Sequence, residues 1–134
     1  MQEPSIFTKV LNGDVPGEVI YQDDSSFVML TIDPLTPGHA LVIPKVEIDQ
    51  IWDLPDDVYH HLYEVAKMIA AKLRTGHGYK RIGTIVEGFG VPHAHIHVFG
   101  LNEGIDPTII RHAATHQHAT PQELRAEADI LRAA

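Results

Sequence analysis

Three histidines alternate with small and apolar residues in VPHAHIHVFG, residues 91–100. Successive side chains on an extended strand point to opposite faces. His93, His95 and His97 then share one face, and Ala94, Ile96 and Val98 share the other. The apolar set suits a core, and the imidazole set suits a cleft. Such a row has three readings. It is a solvated surface, a metal chelate, or a phosphoryl-transfer site. Chelation by all three is geometrically poor. The outer pair of a regular strand lies about 13 Å apart, whereas metal–nitrogen bonds are about 2.0–2.1 Å. Two of the three plus an outside ligand remain compatible with an ion. In phosphoryl or nucleotidyl transfer, a neutral imidazole attacks phosphorus through one nitrogen while the other keeps its proton. Flanking imidazoles supply N–H donors to the phosphate oxygens and a proton to the leaving group. The alternation, backed by an apolar partner face, favours this last chemistry.

The chain that must position these groups has 134 residues, which suits one domain, 1–134, with a real core. Its formal charge of −8 argues against a general nucleic-acid or anionic-membrane binder. There is no cysteine, so disulfides, thiolate-bound zinc and thiol catalysis are excluded. MQEPSIFTKV lacks the basic and long apolar regions of a signal peptide, and no apolar run reaches membrane-spanning length. A cytoplasmic protein is the expectation.

Periodicity supplies the elements. SIFTKVLNG (5–13) reads as a short helix closed by Asn12-Gly13. EVIYQDD, SSFVMLTID (25–33) and HALVIPK (39–45) read as strands punctuated by prolines and glycines. Residues 55–74 form the clearest helix, with Val58, Leu62, Val65, Ile69 and Leu73 as its core stripe and Gly76 as its stop. Its His60 and His61 read as helix surface or subunit contact. RIGTIVEG (81–88) and HAHIHVF are the next strands. TPQELRAEADILRAA begins with a cap-like Thr120 and Pro121 and forms an amphipathic C-terminal helix. His112, His116 and His118 precede it in an exposed loop. The pattern predicts an α+β fold with an antiparallel sheet of about five strands, one long helix and shorter terminal helices.

HAHIHVF has the alternating pattern that names the histidine triad (HIT) superfamily. TIDPLTPGHALVIPK (31–45) resembles the family's strand-turn-strand segment upstream of the triad, and SIFTKVLNGDVPGEVIYQDD (5–24) resembles its opening helix and hairpin. The resemblance covers residues 5 to about 100, leaving 102–134 as an extension, and is greatest to the short single-domain Hint-type branch. It implies that His95 is a nucleophile forming a nucleotidyl-histidine intermediate. It implies that His97 and His93 contact the phosphate and leaving group, and that His39 buttresses the triad. Ile6, Phe7, Val10, Met29 and Ile32 match positions that pack around a nucleobase. Relatives are mostly homodimers.

Three departures stand out. Thr31 occupies the place of an acidic residue that holds ribose hydroxyls in the family, and Asp33 lies two residues later. The loop before the triad is shortened to EGFGVP and carries no hydroxyl or amide side chain, which leaves the backbone N–H groups of Phe89, Gly90 and Val91 to face a phosphate. Ser5 and Thr8 stand at the spacing where many members carry zinc-binding cysteines, so that metal site is expected to be absent and no cofactor is implied. The expected activity is hydrolysis or nucleotidyl transfer at the α-phosphate of purine nucleoside 5′-monophosphate derivatives, phosphoramidase-like. The rivals are a dinucleoside polyphosphate hydrolase or phosphorylase, a nucleotide-binding module with weak catalysis, and a metal-dependent hydrolase using two triad histidines. The extension 102–134 is placed by its position to cover the active site of its own or a partner subunit.

Overall fold

The computed structural model describes residues 3–104 and 118–134. Five strands form one antiparallel sheet, in the order β1-β2-β3-β5-β4. In chain order the elements are α1 (Ile6–Leu11), β1 (Val19–Gln22), β2 (Ser26–Leu30), β3 (Ala40–Pro44), a 3₁₀ turn (Ile51–Asp53), α2 (Asp56–His77), β4 (Arg81–Ile85), β5 (Ile96–Leu101) and α3 (Pro121–Ala133). This is the α+β arrangement that the periodicity predicts.

Alternation along the strands sorts the side chains into two cores. Val28, Leu30, Ala40, Val42, Ile96 and Val98 point to one face and meet Leu62, Val65, Ile69 and Leu73 of α2 with Leu124, Ala128 and Leu131 of α3. Phe27, Met29, Leu41 and Ile43 point to the other face and meet Phe7 and Val10 of α1. Truncating a side chain such as Leu62, which has no exposed surface, costs about 2–5 kcal/mol through lost transfer energy and the cavity left behind.

The helix ends follow their sequence signals. Ser5 Oγ accepts the Thr8 N–H and caps α1. Asp56 and Asp57 lie in the first turn of α2, where the positive end of the helix dipole favours them. Thr120 and Glu123 form a reciprocal capping box on α3.

Several boundaries differ from the expectation: β2 ends at Leu30 rather than Asp33 and β4 at Ile85 rather than Gly88, and two more differ at α2 and β5. Helix α2 runs past Gly76 to His77 and closes at Gly78, whose φ of 70° is left-handed. Gly76 lies within the helix, where α3 packs close to it: a Cβ there would stand 3.0 Å from Ile130 Cγ2. Strand β5 starts at Ile96 rather than at His93. The ladder to β3 reaches the Val42–Ile96 pair, and the next β3 position of that parity is Pro44, which has no N–H to offer. The Ala94 N–H turns instead to the Ile48 carbonyl at 2.8 Å.

Helix α3 lies on the α2 face, opposite α1. Just before it, the Ala119 N–H donates to the Ile32 carbonyl at 2.8 Å, and His118 pairs with Asp33 at 3.0 Å. This part of the extension therefore grips the β2–β3 loop and packs behind the sheet. His112 and His116 fall outside the described residues. No described helix is long and apolar enough to cross a membrane.

Candidate active site

The late start of β5 decides the arrangement of the histidines. Only His97 stands on the regular strand. His93 and His95 lie in the irregular segment before it, so the three imidazoles do not form one flat row. The centroids of His95 and His97 come within 4.9 Å, and His39, directly before β3, brings its ring within 5.2 Å of His97.

Hydrogen-bond partners fix the proton positions, because a neutral imidazole has one donor and one acceptor nitrogen. His95 Nδ1 lies 2.7 Å from the His93 carbonyl, an acceptor, so Nδ1 holds the proton and the Nε2 lone pair is free. His39 Nδ1 receives the Leu35 N–H at 3.0 Å, so its proton sits on Nε2. That Nε2 lies 3.0 Å from His97 Nδ1, which must then accept, leaving His97 Nε2 protonated. One backbone amide thus sets the tautomers of two imidazoles in series. The result is a lone pair on His95 and an N–H on His97.

Electrostatics oppose protonation of His39, His97 and His93. Burial, then repulsion from His97, lowers the pKa of His39 to about 3. Burial, then repulsion from His95, lowers that of His97 to about 4. Burial also lowers His93. A charged imidazole has too little water or counter-charge at these places.

His93 sits apart in role. It has no exposed surface. Its Nε2–H donates to the Pro44 carbonyl at 2.7 Å, and its Nδ1 faces the Ser5 hydroxyl at 2.5 Å. Both nitrogens are occupied within the protein, which argues against the phosphate or leaving-group contact expected of it. Its carbonyl, held in place by those bonds, orients His95. Ser5, Thr8 and Glu47 complete the network: Thr8 Oγ1 donates to Glu47 Oε1 at 2.9 Å.

The residues expected around a base divide. Phe7, Val10 and Met29 are buried in the second core, with Val91 packed at its margin. The Phe7 ring meets His95 edge-on at 4.9 Å. Ile6 is 43% and Ile32 45% exposed, and both stand outside that core. Thr31 Oγ1 accepts the Asp33 N–H at 3.1 Å, which leaves its O–H free to donate. Phe89 is 95% exposed at the tip of the short loop, beside exposed Gly90.

Four participants escape a reading of residue types. The Leu35 N–H and the Pro44 carbonyl are backbone groups whose aim only the fold sets. The Ser5 hydroxyl appears in sequence only as a non-cysteine. Glu87 is the fourth: one of its carboxylate oxygens and one ring nitrogen each of His95 and His97 lie within 4.8 Å of one another. A two-histidine, one-carboxylate set has the composition of a divalent-metal site. The tautomer chain opposes that use, since His97 Nε2 carries a proton where a metal needs a lone pair.

The profile of the HIT domain matches residues 12–104. The chain is 33% identical over 103 residues to an uncharacterized HIT-like protein of Methanocaldococcus jannaschii, covering 74% of this chain and 80% of the relative. In fold it is similar to a Hit-like protein involved in cell-cycle regulation from Bartonella henselae, with TM-score 0.82, 24% identity and coverage of 99% of this chain and 98% of the other. It is also similar to a Zn-bound histidine triad family protein from Mycobacterium smegmatis, with TM-score 0.75, 26% identity and coverage of 96% and 90%.

Proposed function

The chain belongs to the HIT domain family, and from that premise we propose that it is a nucleotide hydrolase or nucleotidyl transferase of the single-domain Hint type. Its substrates are purine nucleoside 5′-monophosphates linked through phosphorus to an amine. The observation that carries this reading is the His95 Nδ1–H bond to the His93 carbonyl. It leaves Nε2 as an oriented nucleophile beside the fixed N–H of His97.

The first step forms a bond from His95 Nε2 to the α-phosphorus and breaks the bond from phosphorus to the leaving nitrogen. The Nδ1 proton stays in place, and its bond to a carbonyl stabilises the positive charge that the ring gains. His97 Nε2–H donates to a nonbridging phosphate oxygen, where transition-state charge collects. His97 is poorly suited to protonate the leaving group, because giving up that proton would leave an imidazolate. A phosphoramidate brings its own: when protonated on the bridging nitrogen, it releases a neutral amine. In the second step water attacks phosphorus, its oxygen stays on the nucleotide, the P–Nε2 bond breaks, and the water proton passes to the amine. His39 and His93 are positioning residues in this scheme.

Phe7, Val10, Met29 and Val91 form the apolar wall for the base, and the free Thr31 hydroxyl is the group offered to ribose. Homodimerisation belongs to the same reading. Among the described residues strand β4 is an edge of the sheet, and Trp52, 70% exposed, begins an aromatic cluster with Tyr59 and Tyr63. Sedimentation velocity over a range of concentrations tests it, and a monomer throughout refutes it.

The deciding experiment is turnover of an adenosine 5′-phosphoramidate by purified protein with chelator present, beside His95→Ala. Turnover in the first and loss in the second supports metal-free histidine catalysis. Binding of AMP without turnover of any phosphoramidate moves the assignment to a nucleotide-binding module.

A further inference from the structure

Resting on the hydrolase reading, we propose that Glu87 selects the leaving group by charge, favouring a protonated nitrogen over a polyphosphate. Its carboxylate stands within 4.8 Å of ring nitrogens of both His95 and His97. A phosphorus held between those nitrogens therefore has the carboxylate as a direct neighbour. The group is fixed rather than free: the Phe89 N–H donates to Glu87 Oε2 at 3.1 Å. Gly88, with φ 80°, makes the turn that returns the chain to it. In the shortened loop, a carboxylate stands where an amide or hydroxyl would have been neutral.

Two of the neighbouring imidazoles do not offset this charge. His39 and His97 are held neutral down to a pH of about 3 and 4. Glu87 therefore sets a negative charge beside the α-phosphate that neither His39 nor His97 cancels. A phosphoramidate protonated on the bridging nitrogen places a positive charge next to Glu87 and gains from it. The same carboxylate favours the proton on that nitrogen, which is the form able to depart. A dinucleoside polyphosphate places further anionic oxygens there and loses by the same field. A unit charge about 5 Å from another changes an equilibrium roughly fourfold in bulk water, and far more at lower effective dielectric. Glu87 is exposed, so screening keeps the effect near the lower end. Counted with opposite sign for the two substrates, preference shifts by about tenfold.

The test uses the full chain, Glu87→Gln and Glu87→Asp, with adenosine 5′-phosphoramidate of a primary alkylamine and diadenosine triphosphate as substrates. The glutamine keeps an oxygen to accept the Phe89 N–H, so the loop is retained while the charge is removed. The expected result is a fall of about tenfold in the ratio of kcat/KM for amine over polyphosphate in Glu87→Gln, with the ratio largely kept in Glu87→Asp. Added salt should lower the ratio in the native protein and leave it flat in Glu87→Gln. Equal effects on both substrates, with the ratio unchanged, overturn the proposal. Where neither substrate turns over, the hydrolase reading fails on its own. Binding of ATP relative to the phosphoramidate then reads the same selection: a shift toward ATP in Glu87→Gln supports it, and an unchanged ratio overturns it.

Discussion

His39 Nε2 lies 3.0 Å from His97 Nδ1, and the Leu35 N–H, 3.0 Å from His39 Nδ1, decides which of the two donates. The pair works as a one-way relay. An amide that can only donate forces His39 to present a proton to His97, and His97 to present one to the substrate. Removing His39 frees His97 to take either tautomer. His39→Ala should lower kcat by about 10²–10³, the scale of losing a fixed transition-state donor. In His39→Gln the side-chain oxygen can accept the Leu35 N–H while its NH₂ donates to His97, so this variant should recover part of the loss. The ¹⁵N shifts of His97 report the tautomer directly. Nε2–H should dominate in the native protein and in His39→Gln, and a mixture should appear in His39→Ala. A pure Nε2–H form in His39→Ala would sink the relay.

The same burial makes the fold acid-sensitive. His39 and His97 have folded pKa values of about 3 and about 4, against about 6.5 when unfolded. Below 6.5 the unfolded chain binds protons that the folded chain refuses, so stability must fall as pH falls. The contribution is complete above about 6.5 and declines until the folded values are reached. Within that window each such histidine costs about 1.4 kcal/mol per pH unit. Urea unfolding at intervals from pH 7.5 to 4.5 should show falling stability, with a shallower slope in His39→Gln. A flat native profile would contradict the neutral cluster.

Ser5 supplies the hydroxyl to a histidine with no exposed surface. Ser5→Ala leaves His93 Nδ1 buried without a partner and removes the α1 cap, which together cost about 1–3 kcal/mol. The variant also loosens the carbonyl that orients His95, so kcat should fall while KM changes little. A drop in stability with kcat untouched would show that His93 is structural only. Denaturant melts and steady-state kinetics on one preparation separate these results.

Side-chain chemistry and local period were readable in the chain; backbone direction was not. The alternation in HAHIHVF marks the triad, and the apolar partners Ala94, Ile96 and Val98 are buried as that alternation requires. The histidine that opens HALVIPK, His39, is the one beside His97. The strand start is not legible in HAHIHVF because it depends on Pro44, a residue distant in sequence whose missing N–H ends the ladder. The relay was invisible for a related reason: the Leu35 amide is aimed by the β2–β3 loop, not by the type of residue 35. Glu87 stood in the loop as a residue without hydroxyl or amide. Only the folded loop, turning at Gly88, carries its carboxylate to His95 and His97.

His61 reads in sequence as helix surface or subunit contact, and its Nε2 lies 2.7 Å from Asp23 Oδ2, tying α2 to the β1–β2 turn. The Tyr21 hydroxyl donates to the same oxygen at 2.7 Å, and Ser25 and Ser26 amides hold the other. Asp23 raises the pKa of His61, the opposite sense to the triad. A raised folded value means the folded chain keeps a proton that the unfolded chain releases. The contribution is therefore complete below about 6.5 and disappears as pH rises through the folded value. The pair is partly exposed, at 39% for the His61 side chain and 23% for that of Asp23, so about 0.5–1 kcal/mol is expected. His61→Ala should destabilise the protein at pH 5.5 and have a smaller effect at pH 9, where only the neutral hydrogen bond is lost. Equal destabilisation at both pH values would show that the contact acts through packing, not charge.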